Sequence, residues 1–179
     1  SLMHLIDGGV GTMFENDPAS PVLRRIVTQT RKFTGDNSDA IYFDAPISAD
    51  HSYLLRGQMN GAIYMSVTLE EGTEMGGLGT KTAGIINDTE FDTDERGNFE
   101  IYLGGPERPR NWLAITPETS RITTRHYFED VISAAADPSK VPLMSLEVLN
   151  KSAAPPVPDD ASVAAGIRRA AQFIRSRTL

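Results

Sequence analysis

Residues 97–128 read GNFEIYLGGPERPRNWLAITPETSRITTRHYF, and apolar and polar side chains alternate near both ends of this segment. Successive side chains of a β-strand point to opposite faces, so Phe99, Ile101 and Leu103 are expected on one face of a sheet. Between the two predicted strands, a loop rich in Gly, Pro and Arg leads to Trp112, the one tryptophan of the chain. The segment therefore predicts a sheet that covers an apolar core.

The same period of two recurs on both sides of this segment. The predicted strands are 41–47, 51–59, 62–69, a short one from Ile85, 98–103, 112–115, 121–128 and 143–149. The dipeptide Asn60-Gly61 predicts a hairpin between the second and third strands, because both residues tolerate positive φ. Residues 90–93 are expected to form a second hairpin with 98–103. Five glycines in residues 70–84 predict a surface loop.

This order of elements predicts a mainly β fold, an antiparallel β-sandwich or jelly roll with a C-terminal α-helix and a short irregular or helical N-terminal arm. The expected organisation is an N-terminal arm (1–33), a β-sandwich domain (34–150), and a connector with a C-terminal helix packed on the same domain (151–179). Within the arm, residues 22–33 fit either a helix or a strand.

The tail from 161 to 177 has the apolar period of a helix. Its expected buried stripe is Val163, Ile167, Ala170, Ala171 and Ile174. Asp159 and Asp160 stand where a helix N-terminus favours acidic groups. We therefore expect this helix to dock on the β-sandwich and to close it. Its arginines are interpreted as a solvated face near the helix C-terminus.

Composition excludes several classes of protein. The chain has 179 residues, a formal net charge of −7 and no cysteine. The absence of cysteine excludes disulfides, thiolate zinc sites and a cysteine nucleophile. An acidic chain is a poor partner for nucleic acid, whose binding depends on clustered positive charge.

Nothing in the sequence resembles a membrane span of about 20 apolar residues or a signal peptide. We therefore expect a soluble, cytoplasmic protein. Because Ser1 and Leu2 precede Met3, we expect the natural chain to start at Met3 or to continue further in the N-terminal direction.

Four segments carry a resemblance to a known family. They are GDNSDAIYFDAPI (35–47), HSYLLRG (51–57), GGPERPRNWLAI (104–115) and RITTRHYF (121–128). These segments resemble bacterial proteins that carry domain of unknown function 1214, which often accompanies domain of unknown function 1254. This chain departs from the family at Asn37-Ser38-Asp39, where the family usually has Asn-Pro-Asp.

The resemblance implies a β-rich, jelly-roll-like domain and implies no activity, because none is assigned to the family. Family members are often longer, so the chain is similar to their C-terminal half. The resemblance thus implies an apolar patch that self-association would cover, and hence a homo-oligomer.

The loop before Trp112 is the first candidate binding site. Arg108 and Arg110 suit bidentate contacts to a carboxylate, sulfate or phosphate group, and Trp112 offers a stacking face. These residues predict a small-molecule or anionic ligand. In the alternative, Trp112 belongs to the core and the two arginines pair with nearby glutamates, namely Glu107, Glu118 or Glu129.

A second candidate binding site lies at the start of the sheet. It consists of Asn37, Asp39, Tyr42 and Asp44, in a polar loop and the strand that follows it. Loops on a β scaffold often carry ligand contacts. In the alternative, the loop is a turn in which the Asn and Asp side chains bond to their own backbone.

The candidate catalytic residues are His126, His51 and Tyr127, which would serve a hydrolase-type reaction with nearby carboxylates. Strand alternation places His126 on the face opposite Arg125 and Tyr127, which argues against a triad. The three histidines are far apart in sequence, so no metal site is predicted. We also predict no cofactor, because phosphate-binding and nucleophile-elbow motifs are missing.

These observations predict a small-molecule or saccharide-binding β-domain, or a subunit of a larger assembly. Two alternatives are a hydrolase-type enzyme and a structural oligomerisation domain.

Overall fold

The computed structural model describes residues 2–32, 35–77, 79–150 and 157–178. Its elements are, in chain order, α1 (Leu2–Met13), β1 (Arg24–Arg25), β2 (Ala40–Pro46), β3 (Tyr53–Gln58), β4 (Tyr64–Glu71), β5 (Lys81–Asn87), β6 (Asn98–Leu103), β7 (Trp112–Leu113), β8 (Thr119–Tyr127), β9 (Met144–Val148) and α2 (Asp160–Arg175). Two single turns of 3-10 helix, Ala134–Ala136 and Pro138–Lys140, lie between β8 and β9. Neither α-helix of this described part has the length and apolarity that crossing a membrane requires.

The strands form two sheets. The five-stranded sheet has the order β1-β2-β8-β4-β5, and all its neighbours are antiparallel. The four-stranded sheet has the order β7-β6-β3-β9 and is antiparallel except for the parallel pair β6 and β7. The predicted mainly β sandwich with a C-terminal helix is therefore confirmed, and the N-terminal arm contains a helix.

The core lies between the two sheets. Its fully buried side chains come from both sheets and include Met65, Val67, Leu69 and Ile122 from the five-stranded sheet and Tyr53, Leu55, Ile101 and Leu103 from the four-stranded one. Each such apolar side chain stabilises the fold by about 1.5 to 3 kcal/mol. A methyl group on Gly57 would collide with Phe99 and Met144, so only glycine fits beneath these two side chains.

The predicted hairpin at Asn60-Gly61 is wrong, although the turn itself forms. Asn60 and Gly61 have φ angles of 48° and 82°, and the Ala62 amide donates to the Met59 carbonyl at 2.8 Å. However, β3 pairs with β6 and β9, whereas β4 pairs with β5 and β8. The turn carries the chain from one sheet to the other. This arrangement buries the apolar faces of both strands against each other, which an isolated two-stranded ribbon cannot do.

The second predicted hairpin is also wrong, because residues 90–93 form no strand. The side chain of Asp94 organises the turn instead, and its Oδ1 accepts hydrogen bonds from the amides of Arg96 and Asn98, each at 2.8 Å. The predicted surface loop 70–84 is wrong at both ends, since β4 continues through Glu71 and β5 begins at Lys81. Backbone hydrogen bonds to a neighbouring strand hold both ends of this segment in β-structure, although the glycine content predicts a loop.

Helix α2 begins as predicted with an acidic cap. The Asp159 carboxylate accepts a hydrogen bond from the Ser162 amide at 2.8 Å, and the Ser162 hydroxyl lies 2.9 Å from the Asp159 amide. The predicted buried stripe is partly wrong. Gly166, Ala170 and Phe173 are buried, whereas Ile167 is 58% exposed.

The reason is that α2 packs on α1 and does not close the sandwich. Gly166 lies against the Phe14 backbone at the end of α1, where a methyl group would meet the carbonyl oxygen at 2.7 Å. Arg169 fixes the same contact by donating to the carbonyls of Met13 and Phe14 at 2.9 and 2.7 Å. The two helices lie against the outer face of the five-stranded sheet, which is the face directed away from the core.

Candidate functional site

A polar cavity of about 370 Å³ lies on this outer face, between the strands and the C-terminal ends of the two helices. Its lining residues are Met13, Ile26, Val27, Gly35, Asp36, Tyr42, Asp44, Glu70, Thr73, Gly77, Gly79, Arg121, Thr123, Arg125, Tyr127, Phe173 and Arg177. We call it the polar cavity below. It combines three arginines, three acidic residues and two tyrosines.

Strand register explains why these side chains meet. β8 lies between β2 and β4, so Asp44 stands opposite Thr123 on one side and Glu70 stands opposite Arg121 on the other. Tyr42 stands opposite Arg125 in the same way. Because alternate residues share a face, the polar side chains of all three strands point outward together.

Arg121 and Asp44 form a buried ion pair at the floor of the cavity. Their side chains are 3% and 7% exposed, and the Arg121 Nη1 lies 3.0 Å from the Asp44 Oδ2. The Arg121 Nη2 also donates to the Thr12 carbonyl at 3.2 Å and to the Asn16 Oδ1 at 3.3 Å. One guanidinium thus ties the end of α1 to the sheet.

The acid–base state of this pair is unusual. Burial raises the pKa of Asp44 to about 6, and the charge of Glu70 adds to the effect, while the positive charge of Arg121 opposes it. A carboxyl group with a pKa near 6 changes its protonation close to neutral pH. At pH 7 the Asp44 carboxyl is therefore still mostly ionised, and it gains a proton at a pH only slightly lower.

Arg125 and Glu70 form a looser pair beside it. The Arg125 Nη2 lies 3.7 Å from the Glu70 Oε1, and the Arg125 Nη1 donates to the Thr68 hydroxyl at 2.9 Å. The Thr123 hydroxyl donates to the same Glu70 oxygen at 2.8 Å. Both charged side chains remain partly exposed, at 31% and 22%, so they are accessible to a ligand.

Arg177 enters the cavity from the turn that follows α2. Its guanidinium carbon lies 3.6 Å from the centre of the Phe173 ring, and its Nη1 donates to the Phe173 carbonyl at 3.1 Å and the Ser176 hydroxyl at 3.0 Å. Burial and, to a smaller extent, the positive charge of Arg121 lower the pKa of Arg177 to about 10, while the charges of Asp44 and Glu70 oppose this shift. These contacts hold a cationic group over the cavity.

Tyr42 and Tyr127 form an aromatic wall. Their ring centroids are 6.4 Å apart in an edge-to-face arrangement, and Tyr64 contacts the other side of Tyr127 at 5.6 Å. The hydroxyl of Tyr42 accepts a hydrogen bond from the Asn37 amide at 3.1 Å. Burial raises the pKa of Tyr127, which keeps this phenol protonated.

The structure brings three of the residues named from the sequence, Tyr42, Asp44 and Tyr127, into the polar cavity. Asn37 and Asp39 lie beside it in a turn, where the Asn37 Oδ1 accepts from the Asp39 amide at 2.8 Å. This is the turn geometry that the alternative interpretation described. The loop contributes by positioning Tyr42 and not by lining the cavity.

The loop before Trp112 lies on the other sheet, away from the polar cavity. The Trp112 Nε1 donates to the Gly104 carbonyl at 3.0 Å, and the indole is half-buried. Arg108 stacks 3.5 Å over the Tyr102 ring, and Arg110 pairs with Asp92 at 2.9 Å. The predicted pairing of these arginines with glutamates is therefore wrong, because Tyr102 and Asp92 lie closer in the folded chain.

The two candidate catalytic histidines lie on or next to different sheets, and neither lines the cavity. His126 points into the core from β8, where its ring stacks on Phe99 with 6.4 Å between centroids. Burial lowers the pKa of His126 to about 4, so its imidazole is neutral near pH 7. His51 precedes β3 in the other sheet and contacts Tyr53. Within the described ranges, no group of three or more His, Asp or Glu side chains is placed to hold a metal ion.

Sequence reasoning missed Glu70, Arg121 and Arg177 as site residues. Glu70 fell in the segment interpreted as a loop, and Arg177 fell on a helix face interpreted as solvated. The available signal was the run of outward positions Arg121, Thr123, Arg125 and Tyr127, which are all polar. That signal alone does not reveal which strands flank β8.

The fold and the cavity define a two-sheet β protein with a polar, arginine-rich pocket on one outer face. The sequence matches no model of a known family and no curated protein. Among solved structures, the chain is similar to an uncharacterised protein from Burkholderia cenocepacia, with a TM-score of 0.83 and 24% identity over 98% of this chain. The match covers 48% of that protein, so the chain spans about half its length.

A second solved structure, the VPA0106 protein from Vibrio parahaemolyticus, matches with a TM-score of 0.43 and 18% identity. The match covers 63% of this chain and 31% of the Vibrio protein. The first of these two likenesses supports the fold and carries no activity with it.

Proposed function

We propose that this chain is a small-molecule-binding β-domain whose ligand occupies the polar cavity. The observation that carries the proposal is the convergence of a buried Arg121–Asp44 pair with accessible Arg125, Glu70 and Tyr127 in one cavity of about 370 Å³. Ligand pockets in proteins are about 300 to 1,000 Å³ and combine an aromatic lining with a few convergent polar groups. The groups project from neighbouring strands, which hold them more rigidly than loops would.

The residue types favour a hydroxylated ligand. Glu70, Thr123 and Asp44 provide hydrogen-bond acceptors and donors for hydroxyl groups, and Tyr42 with Tyr127 provides an aromatic surface for the ring of a sugar or a small aromatic compound. This composition supports the small-molecule or saccharide class. It does not include a histidine, which leaves the hydrolase-type alternative without its expected base.

The proposal is tested by a thermal-shift screen of sugars, sugar acids and small aromatic acids, followed by isothermal titration calorimetry. We expect at least one compound to bind with a Kd of about 1 mM or tighter. Arg125→Ala, in the cavity, should abolish binding, and Arg110→Ala, on the exposed Trp112 loop, should preserve it. The opposite pattern would move the site to the Trp112 loop, and a screen without any ligand would overturn the proposed function.

The membership of the domain of unknown function 1214 family, the cytoplasmic location and the homo-oligomer stay predictions from the sequence. Exposed apolar side chains on the two helices, such as Leu2, Met3, Val10 and Ile167, support self-association. Size-exclusion chromatography with light scattering measures this state directly, and a mass equal to the 19.5 kDa chain would contradict it.

A further inference from the structure

The charged groups of the polar cavity are unequally paired. Asp44 pairs with Arg121 at 3.0 Å, and Glu70 with Arg125 at 3.7 Å. The third carboxylate, Asp36, pairs with Lys32 at 3.0 Å, and Lys32 is not part of the lining. Arg177 therefore remains, and no carboxylate of the described residues lies within 4.0 Å of its guanidinium.

Arg177 is held in place by neutral groups, while the described carboxylates Asp44 and Glu70 act on its charge from beyond ion-pair distance. Its hydrogen bonds go to the Phe173 carbonyl and the Ser176 hydroxyl, both neutral groups, and involve Nη1 alone. A guanidinium has five N–H donors in a planar fork, so the other nitrogens remain for a further acceptor. The charge of Arg121 acts on Arg177 unfavourably and the charges of Asp44 and Glu70 act favourably, and an anion between the two arginines would further offset the repulsion.

Arg121 supplies a second, independent observation. Its side chain is 3% exposed, and its Nε is buried with no acceptor among the residues that the structure describes. An unpaired buried donor is unfavourable, and an acceptor brought to it would remove this cost. Arg121 and Arg177 line the same cavity, so both side chains belong to one site.

Building on the proposed function, we propose that the polar cavity binds a small monocarboxylate, with the carboxylate between Arg177 and Arg121 and the hydroxylated or aromatic part against Tyr42 and Tyr127. A planar carboxylate matches the guanidinium fork. Because Arg177 is the one arginine of the described lining without a paired carboxylate, the cavity favours a ligand with one negative charge. A phosphate dianion would instead face Asp44 and Glu70 with more negative charge than the cavity can neutralise.

The test uses matched pairs of probes that differ in charge alone as far as chemistry allows. The pairs are glucuronate with glucose and 4-hydroxybenzoate with 4-hydroxybenzamide, within a panel of small carboxylates and their neutral counterparts. Isothermal titration calorimetry on the full chain should give at least about tenfold tighter binding of a carboxylate than of its neutral partner. Arg177→Gln should reduce this preference to about twofold or less.

The control is Arg175→Gln, which removes an exposed arginine of the same helix end and should leave the preference unchanged. If neutral compounds bind as tightly as carboxylates or more tightly, and Arg125→Ala abolishes this binding, the monocarboxylate inference is wrong and the proposed function still holds. A carboxylate preference that survives in Arg177→Gln would also overturn the inference. A panel without any bound compound would overturn the proposed function itself.

Discussion

The polar cavity and the Trp112 loop both contain arginines, but the two regions place them in different surroundings. In the loop, Arg110 is 52% exposed and its partner Asp92 is 67% exposed. In the cavity, Arg121 and Asp44 are almost fully buried. Exposed ion pairs are screened by water and contribute little, whereas a buried charge depends on its partner. Arginines that are close in sequence can thus contribute less to stability than arginines that strand register brings together.

The largest expected difference between the two regions is in stability. Arg121→Met should lower the free energy of unfolding by about 3 to 5 kcal/mol, because it leaves the Asp44 carboxyl buried without a partner. Arg110→Met should lower it by less than about 1 kcal/mol. Urea denaturation at pH 7 measures both values. Adding Asp44→Asn to Arg121→Met should recover part of the loss, and equal losses in the two single variants would contradict the comparison.

The second expected difference is in pH dependence. The pKa of Asp44 is about 6 in the folded chain and near 3.9 when unfolded, so the folded state binds more protons between these values. The contribution of Asp44 to stability is thus fully present below pH 3.9 and is lost as the pH rises through 6. Relative to the wild type, Asp44→Asn should gain up to about 3 kcal/mol between pH 4 and 7.

Urea midpoints measured across this pH range check the effect of Asp44→Asn. Profiles of the variant and the wild type that run parallel would show that burial does not raise the pKa of the Asp44 carboxyl.

The smallest effect is expected at the loop. Trp112→Phe keeps an aromatic ring and removes the hydrogen bond from Nε1 to the Gly104 carbonyl, so the free energy of unfolding should fall by about 1 kcal/mol. Binding in the polar cavity should not change, because Trp112 lies on the other sheet. A variant of unchanged stability that no longer binds the ligand would show that the loop, and not the cavity, is the site.

Much of the fold could be predicted from side-chain alternation. The apolar residues Phe99, Ile101 and Leu103 share a buried face as expected, and the acidic cap of α2 begins the helix as expected. Strand pairing could not be predicted. Asn60-Gly61 adopts its favoured turn, yet local turn chemistry does not determine whether the next strand returns beside the first or crosses to the opposite sheet.

The candidate site was less predictable for a related reason. Tyr42 and Tyr127 are separated widely in sequence, and they meet because β2 and β8 are neighbours. Arg177 joins them through the packing of α2 on α1, which the helical period did not reveal because the apolar stripe suggested a different buried side. Such long-range contacts are properties of the tertiary structure and leave no local pattern.

The central place of β8 in its sheet also has a consequence for biogenesis. Strands β2 and β4 both pair with β8, and Ala40 meets Tyr127 across this ladder. During synthesis from the N-terminus, neither strand can acquire this partner until the ribosome has released the segment up to Tyr127. Until then, the strand edges that will pair with β8 stay exposed to solvent, so folding is expected to be slow and to benefit from chaperones that shield nascent strands from aggregation.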